Sequence, residues 1–191
     1  MRVERSVDNI DVPHRLVASG IYELPFGAGR RFGGKLPGVV NAAFGGWSVG
    51  SIVTRASGRP YSVINSGNPA NTGTFNIVSR PNLTGDPYSG FTRSLNMDFN
   101  TADFVATPQY TLGSEGRNVL RQRGFFNWDF SAHKEFRLRE RLRLQFRLEA
   151  FAFTNTPRFG QAGATLATST FGKISGADTP RNLQFGLKLA W

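Results

Sequence analysis

Residues 181–191 alternate without a fault: Leu183, Phe185, Leu187, Leu189 and Trp191 fall on one side, Asn182, Gln184, Gly186, Lys188 and Ala190 on the other. Successive side chains of an extended strand point to opposite faces, so this pattern predicts a strand with one apolar and one polar surface. Residues 141–153 repeat it. Leu142, Leu144, Phe146, Leu148, Ala150 and Ala152 share a face opposite Arg141, Arg143, Gln145, Arg147 and Glu149. Leu, Arg, Gln and Glu favour helix by intrinsic propensity. In a helix, however, residues two apart sit about 200° from each other, which would scatter these leucines around the axis. The pattern therefore predicts a strand. In residues 125–138, Phe126, Trp128, Phe130, Ala132, Phe136 and Leu138 share a face interrupted only by Lys134. Asn127, Asp129, Ser131, His133, Glu135 and Arg137 lie opposite.

The link between these two segments constrains their register. Directly opposed residues share a face, so even-numbered positions must oppose even-numbered ones. This requires an odd loop, most simply three residues, with Arg137 opposite Arg141 or Leu138 opposite Leu142. A two-residue turn would put leucines among arginines. Two weaker strands are predicted upstream, at 14–24 and 47–56, the second broken by Ile52. A Gly-rich connection between them carries a helical turn near 36–44. Residues 61–64 extend the second strand. Two polar stretches, 57–123 and 154–180, show little periodicity and are read as long loops.

Composition narrows the class. No apolar run approaches the roughly 18–20 residues a membrane helix requires. A helical membrane protein is thereby excluded. A transmembrane barrel is not, because its strands place apolar residues only at every second position. The sequence contains no cysteine, which removes disulfides and thiolate metal sites. The net charge is +10, compatible with nucleic acid, an anionic membrane surface or acidic substrates. Lys and Arg are dispersed, however, and no dense basic block appears. Residues 1–8 carry no apolar export signal, so an envelope location predicts either a fragment or a different start.

Connection lengths support the barrel. Long links (57–123 and 154–180) alternate with shorter ones (25–46 and 138–140), and in an up-and-down barrel every second link lies on the same side of the membrane. Outer-membrane barrels put short turns in the periplasm and long loops outside, which sends Trp191 to the periplasmic end. Phe125, Phe126 and Trp128 at one end, with Trp47 and Trp191 at the other, fit interfacial aromatic girdles. His133, Glu135, Arg141, Arg143, Arg147 and Glu149 form a polar stripe facing the lumen. Its arginines are either an anion-selective path or a hydrated wall balanced by Glu135 and Glu149.

Short motifs carry a family resemblance: DVPHR at 11–15, YELPFG at 22–27, GGW at 45–47, SGRPY at 57–61, GFFNWD at 124–129, RLRLQFRLEAF at 141–151, FG at 159–160, FGKI at 171–174 and PRNLQFGLKL at 180–189. In this order they resemble the late barrel of Oar-like TonB-dependent transporters. Ala152 and Thr156 stand where the family pattern has Asn and His. The resemblance covers most of the chain and thins between 65 and 101. It implies a barrel of about twenty-two strands, the size class of plugged outer-membrane transporters, of which this chain supplies about five or six. It further implies a carboxy-terminal portion, residues 1–191, that does not transport alone and reaches TonB only through upstream regions. The terminal strand, with Leu183, Phe185, Leu187, Leu189 and Trp191, is then the signal read by the barrel assembly machinery.

No residues converge on catalysis. His14 and His133 lack neighbouring ligands, and Asp98 and Asp103 lack a base or nucleophile. Gly27, Gly29, Gly33 and Gly34 suit a tight turn better than a phosphate loop, since Phe32 occupies a position that needs glycine. The expectation is therefore an all-β, antiparallel transmembrane barrel segment in the bacterial outer membrane, non-enzymatic and without cofactor or metal. Its expected neighbours are outer-membrane lipid and lipopolysaccharide, with a substrate the residues do not identify and no nucleic acid. One alternative is a surface-display or adhesion barrel that binds a partner through its long loops. A soluble basic nucleic-acid-binding β domain is the other.

Overall fold

The computed structural model describes residues 4–35, 37–71, 79–139 and 141–191. Expectations that fall on residues 1–3, Leu36, residues 72–78 and Glu140 lie outside this set. The elements in chain order are β1 (Arg15–Glu23), α1 (Gly38–Phe44), β2 (Trp47–Ala56), β3 (Pro60–Tyr61), β4 (Asn82–Leu83), a 3-10 turn (Thr101–Asp103), β5 (Phe104–Val105), β6 (Leu120–Arg121), β7 (Phe125–Arg137), β8 (Arg143–Phe151) and β9 (Asn182–Ala190). They fall into two compact units. The first comprises residues 1–14, 56–125 and 158–178; the second comprises 15–55, 126–157 and 179–191.

The second unit is built on an antiparallel sheet in the order β1-β2-β7-β8-β9. Each long strand coincides with a segment of period-two alternation, and the all-β expectation holds. The strand expected at 141–153 is shorter, because Arg141 and Leu142 belong to the turn. There the Leu138 N–H donates to Leu142 O at 2.9 Å, so Leu138 opposes Leu142 and Arg137 opposes Arg143. Arg137 does not oppose Arg141. Loop parity predicted this outcome as one of two, and it keeps leucine facing leucine across the hairpin. Between β8 and β9 the register is unbroken for nine pairs, from Arg143 with Ala190 to Phe151 with Asn182. β1 runs against β2, with Leu24 N–H on Trp47 O at 2.8 Å and Ser57 N–H on His14 O at 2.9 Å.

Helix α1 spans seven residues and ends at a glycine pair. Gly45 N–H closes the last turn on Asn41 O at 2.8 Å, and Gly46 adopts φ +71°, a region that favours residues without a Cβ. Gly27 packs so closely on Gly45 that a Cβ there would lie 2.7 Å from the Gly45 Cα. The link from β1 to β2 is thus a folded turn: Ala28 N–H donates to Asn41 Oδ1 at 2.7 Å, and the Phe26 and Phe32 rings meet at 5.7 Å.

The first unit has a hydrophobic core of its own. Tyr61, Val63, Phe99, Phe104, Leu120 and Ala162 are buried together, with Phe171 packed against them. The Phe99 ring meets Phe104 at 5.3 Å and Phe171 at 5.2 Å, both edge-on, an arrangement favoured by the ring quadrupoles. β3 pairs with β6 and β4 with β5, each over two residues. The stretches read as polar loops therefore contribute to a packed structure. Their strands are too short for a period of two to register in the sequence.

Candidate functional site: a sheet with two faces

Pairing across β7, β8 and β9 assigns their opposed residues to two faces. Ala132, Lys134 and Phe136 of β7 oppose Leu148, Phe146 and Leu144 of β8, which in turn oppose Phe185, Leu187 and Leu189 of β9. This face is apolar save for Lys134. On β9 it stays open: Leu183, Phe185, Leu187 and Leu189 are all exposed, and Trp191, just past the strand, is 89% exposed. A contiguous surface of this kind needs an apolar surrounding, and a bilayer supplies it.

The opposite face carries the predicted polar stripe. His133 opposes Arg147, Glu135 opposes Gln145, and Ser131 opposes Glu149. Arg143 Nη1 lies 3.6 Å from Glu135 Oε1, and Arg147 Nη1 lies 3.7 Å from Glu149 Oε1. Both contacts are longer than a charge-assisted hydrogen bond and their side chains are about half exposed. Arg141 stands apart from this ladder, in the turn. Arg137 and Arg143 face each other directly, and Glu135 is the carboxylate that relieves the repulsion.

Aromatic rings mark both ends of the sheet. At one end Trp128 meets Phe153 at 5.0 Å and donates its indole N–H to Ser51 Oγ at 2.8 Å. At the other, Trp47 meets Phe146 at 5.8 Å and donates to Ala43 O at 2.9 Å. Rings with one apolar body and one satisfied polar tip suit the boundary between hydrocarbon and headgroup.

Lys134, an interruption of the apolar pattern in the sequence, is 4% exposed. Its ammonium donates to Ala43 O at 3.2 Å and to Gly45 O, and it lies 5.4 Å and 5.0 Å from the centres of the Trp47 and Phe136 rings. The cation is therefore held at the C-terminal end of α1, where the helix carbonyls lack internal partners. Sequence reasoning could not find this clamp, because its acceptors are backbone atoms of any residue type.

The first unit buries charge as well. Asp98, 1% exposed, accepts from Arg93 Nη2 at 2.8 Å and from Arg123 Nε at 2.7 Å. Read from sequence as a plain loop carboxylate, it is the hub of an ion triad. Arg93 also lies over the Tyr88 ring, 4.9 Å from its centre. Glu115, fully buried, accepts from Val63 N–H at 2.9 Å, and burial pushes its carboxyl up to about 7. Burial likewise raises the Tyr61 and Tyr88 hydroxyls above their ordinary value. Nothing in local sequence pattern separates these residues from solvated ones.

His14 and His133 belong to different units, and among the described residues no group of three or more His, Asp or Glu side chains converges as metal ligands. The glycine segment closes on itself, with Gly27 N–H on Phe32 O at 2.8 Å and Arg30 N–H on Gly27 O at 3.1 Å. These bonds make the segment a folded turn, as its glycines suggested. No described helix is long and apolar enough to cross a membrane.

Comparison with curated proteins and with solved structures gave no match. A family model described as outer membrane beta barrel domain matches residues 1–184, nearly the whole chain. The two-faced antiparallel sheet and this match agree, and the chain belongs to the outer membrane β-barrel family, a protein of the bacterial outer membrane.

Proposed function

We propose that this chain is the carboxy-terminal wall of a TonB-dependent uptake barrel of the Oar-like type. The observation that carries the reading is the position of β1 and β9 at the two edges of a sheet that is apolar on one face and charged on the other. In hydrocarbon every backbone N–H and C=O requires a partner, so both edges call for further strands. A charged inner face of this kind suits a wide, hydrated lumen, and large barrels with plugged lumens are transporters. The motifs from DVPHR at 11–15 to the terminal strand support the TonB-dependent type.

In this reading the apolar face meets lipid, and His133, Glu135, Arg143, Arg147 and Glu149 line the solute path. Arg141 extends their charge at the turn. Leu183, Phe185, Leu187, Leu189 and Trp191 present the closing strand to the barrel assembly machinery. The chain supplies no catalytic chemistry and binds no nucleic acid. Force from TonB acts through other parts of the same protein. The test compares depletion of solutes from the medium by wild-type cells, cells lacking this gene and cells lacking TonB. A solute consumed by the wild type and by neither mutant supports uptake. Uptake that needs this gene but not TonB overturns the energy coupling.

A second reading, adhesion or display, is favoured by one observation. The segments 56–125 and 158–178, which leave and rejoin the long strands, share a core of their own, as a binding module requires. It predicts loss of surface attachment, with solute depletion unchanged, when the gene is deleted.

A further inference from the structure

The first unit carries an open pocket of about 490 Å³, within the range of small-molecule sites. Its charged lining is of one sign: Arg59, Arg80 and Arg117. The remaining polar lining includes the amides of Asn118, Gln122 and Gln161, and Pro60 and Ile64 supply an apolar patch.

The partners of these groups decide what the pocket lacks. Arg80 donates through Nε to Glu115 O at 3.1 Å and through Nη2 to the carboxylate of Glu4. Among the described residues, Arg59 and Arg117 make no side-chain hydrogen bond and no ion pair. Gln122 and Gln161 bond each other at 3.1 Å, and Asn118 donates to Val7 O at 2.8 Å. Of the three guanidinium groups only Arg80 is ion-paired, to Glu4, which is exposed and belongs to the amino-terminal segment, and Arg80 also attracts the buried Glu115 carboxyl. The hydrogen bond from Arg80, with added attraction from Arg117, holds the Glu4 carboxyl below its ordinary value.

We propose that this pocket binds an acidic saccharide, with Arg59, Arg80 and Arg117 engaging its carboxylate or phosphate and Glu4 acting as the resident competitor for Arg80. Guanidinium forks match carboxylate and phosphate oxygens bidentately. Side-chain amides both donate and accept, which matches sugar hydroxyls, and the Pro60 and Ile64 patch suits the C–H face of a pyranose ring. The inference deepens the uptake reading by naming a solute class and rests on it for physiological meaning. Binding itself is measurable without transport.

The experiment is calorimetric titration of the intact protein in detergent with digalacturonate, maltose, inorganic phosphate and lipopolysaccharide. Digalacturonate binds at least ten-fold more tightly than maltose or phosphate. Arg117→Gln and Arg59→Gln each weaken it about ten-fold, the loss of one charge-assisted contact of about 1.4 kcal/mol. Glu4→Gln moves affinity the other way, strengthening it several-fold, a shift that a merely structural Glu4 would not produce. Tighter binding of lipopolysaccharide than of digalacturonate, weakened by the same arginine substitutions, assigns the acidic sugar to the membrane surface and keeps the site. Equal affinity for maltose, equal affinity for phosphate alone, no binding of any probe at millimolar concentration, or weakening by Glu4→Gln overturns the proposal. TonB-independent depletion of solutes would sink the uptake reading and leave this binding result standing.

Discussion

Lys134 donates its ammonium proton to Gly45 O although its own strand position faces Phe146 on the apolar side of the sheet. Truncating Lys134 leaves carbonyls at the end of α1 without their cation, so Lys134→Met loosens the helix first. The expected loss is about 1–3 kcal/mol, the usual penalty for a buried polar partner left unmade. Amide hydrogen exchange over residues 38–46 then accelerates on the order of ten-fold, while exchange in the β8–β9 pair is unchanged. Acceleration spread equally over both regions would mean that the clamp holds the whole sheet.

The β8–β9 register is open to chemical test because the native chain has no cysteine. Leu148 opposes Phe185, whereas Glu149 opposes Gln184. Leu148→Cys with Phe185→Cys is expected to form a disulfide under mild oxidation in the intact protein. Glu149→Cys with Phe185→Cys is not, since the two side chains sit on opposite faces. The reverse result would show a one-residue slip that turns the apolar face inward.

Glu115 gives the first unit a pH dependence of known sign. Its folded value of about 7 lies above the ordinary 4.5, because burial disfavours the ionised form. The folded state therefore holds the proton more tightly than the unfolded state. The stabilisation is fully present below 4.5 and is lost as pH rises through about 7. Protease resistance of residues 56–125 should fall across that window in the wild type. Glu115→Gln, which cannot ionise, should flatten the profile. A profile unchanged by the substitution would assign the dependence elsewhere.

Much of the sheet was legible because its signal is local. Residues 47–56 match β2 to the residue, and the parity of the turn at 138–142 narrowed the register to two choices. β1 was fainter, since Val17 and Ile21 put apolar side chains at the odd positions as well. The first unit was not legible for a different reason. Tyr61 and Leu120 meet in a two-residue pairing across nearly sixty intervening residues, and no periodicity can announce such a contact. Arg59, Arg80 and Arg117 converge only through those long-range pairings. The charge of Lys134 was visible, but the carbonyls that accept from it were not.

The central claim is that one face of this sheet meets lipid and the other meets water, and β9 tests it directly. Single cysteines are placed in turn at residues 182–189 of the intact protein in the outer membrane of living cells. Each is then challenged with a membrane-impermeant maleimide and, separately, with an oxygen-sensitive nitroxide that reports lipid. Cysteines at Asn182, Gln184, Gly186 and Lys188 should take the maleimide, and those at Leu183, Phe185, Leu187 and Leu189 should report lipid, in strict alternation. Labelling of all eight positions by the maleimide, or alternation with the opposite phase, would contradict the account.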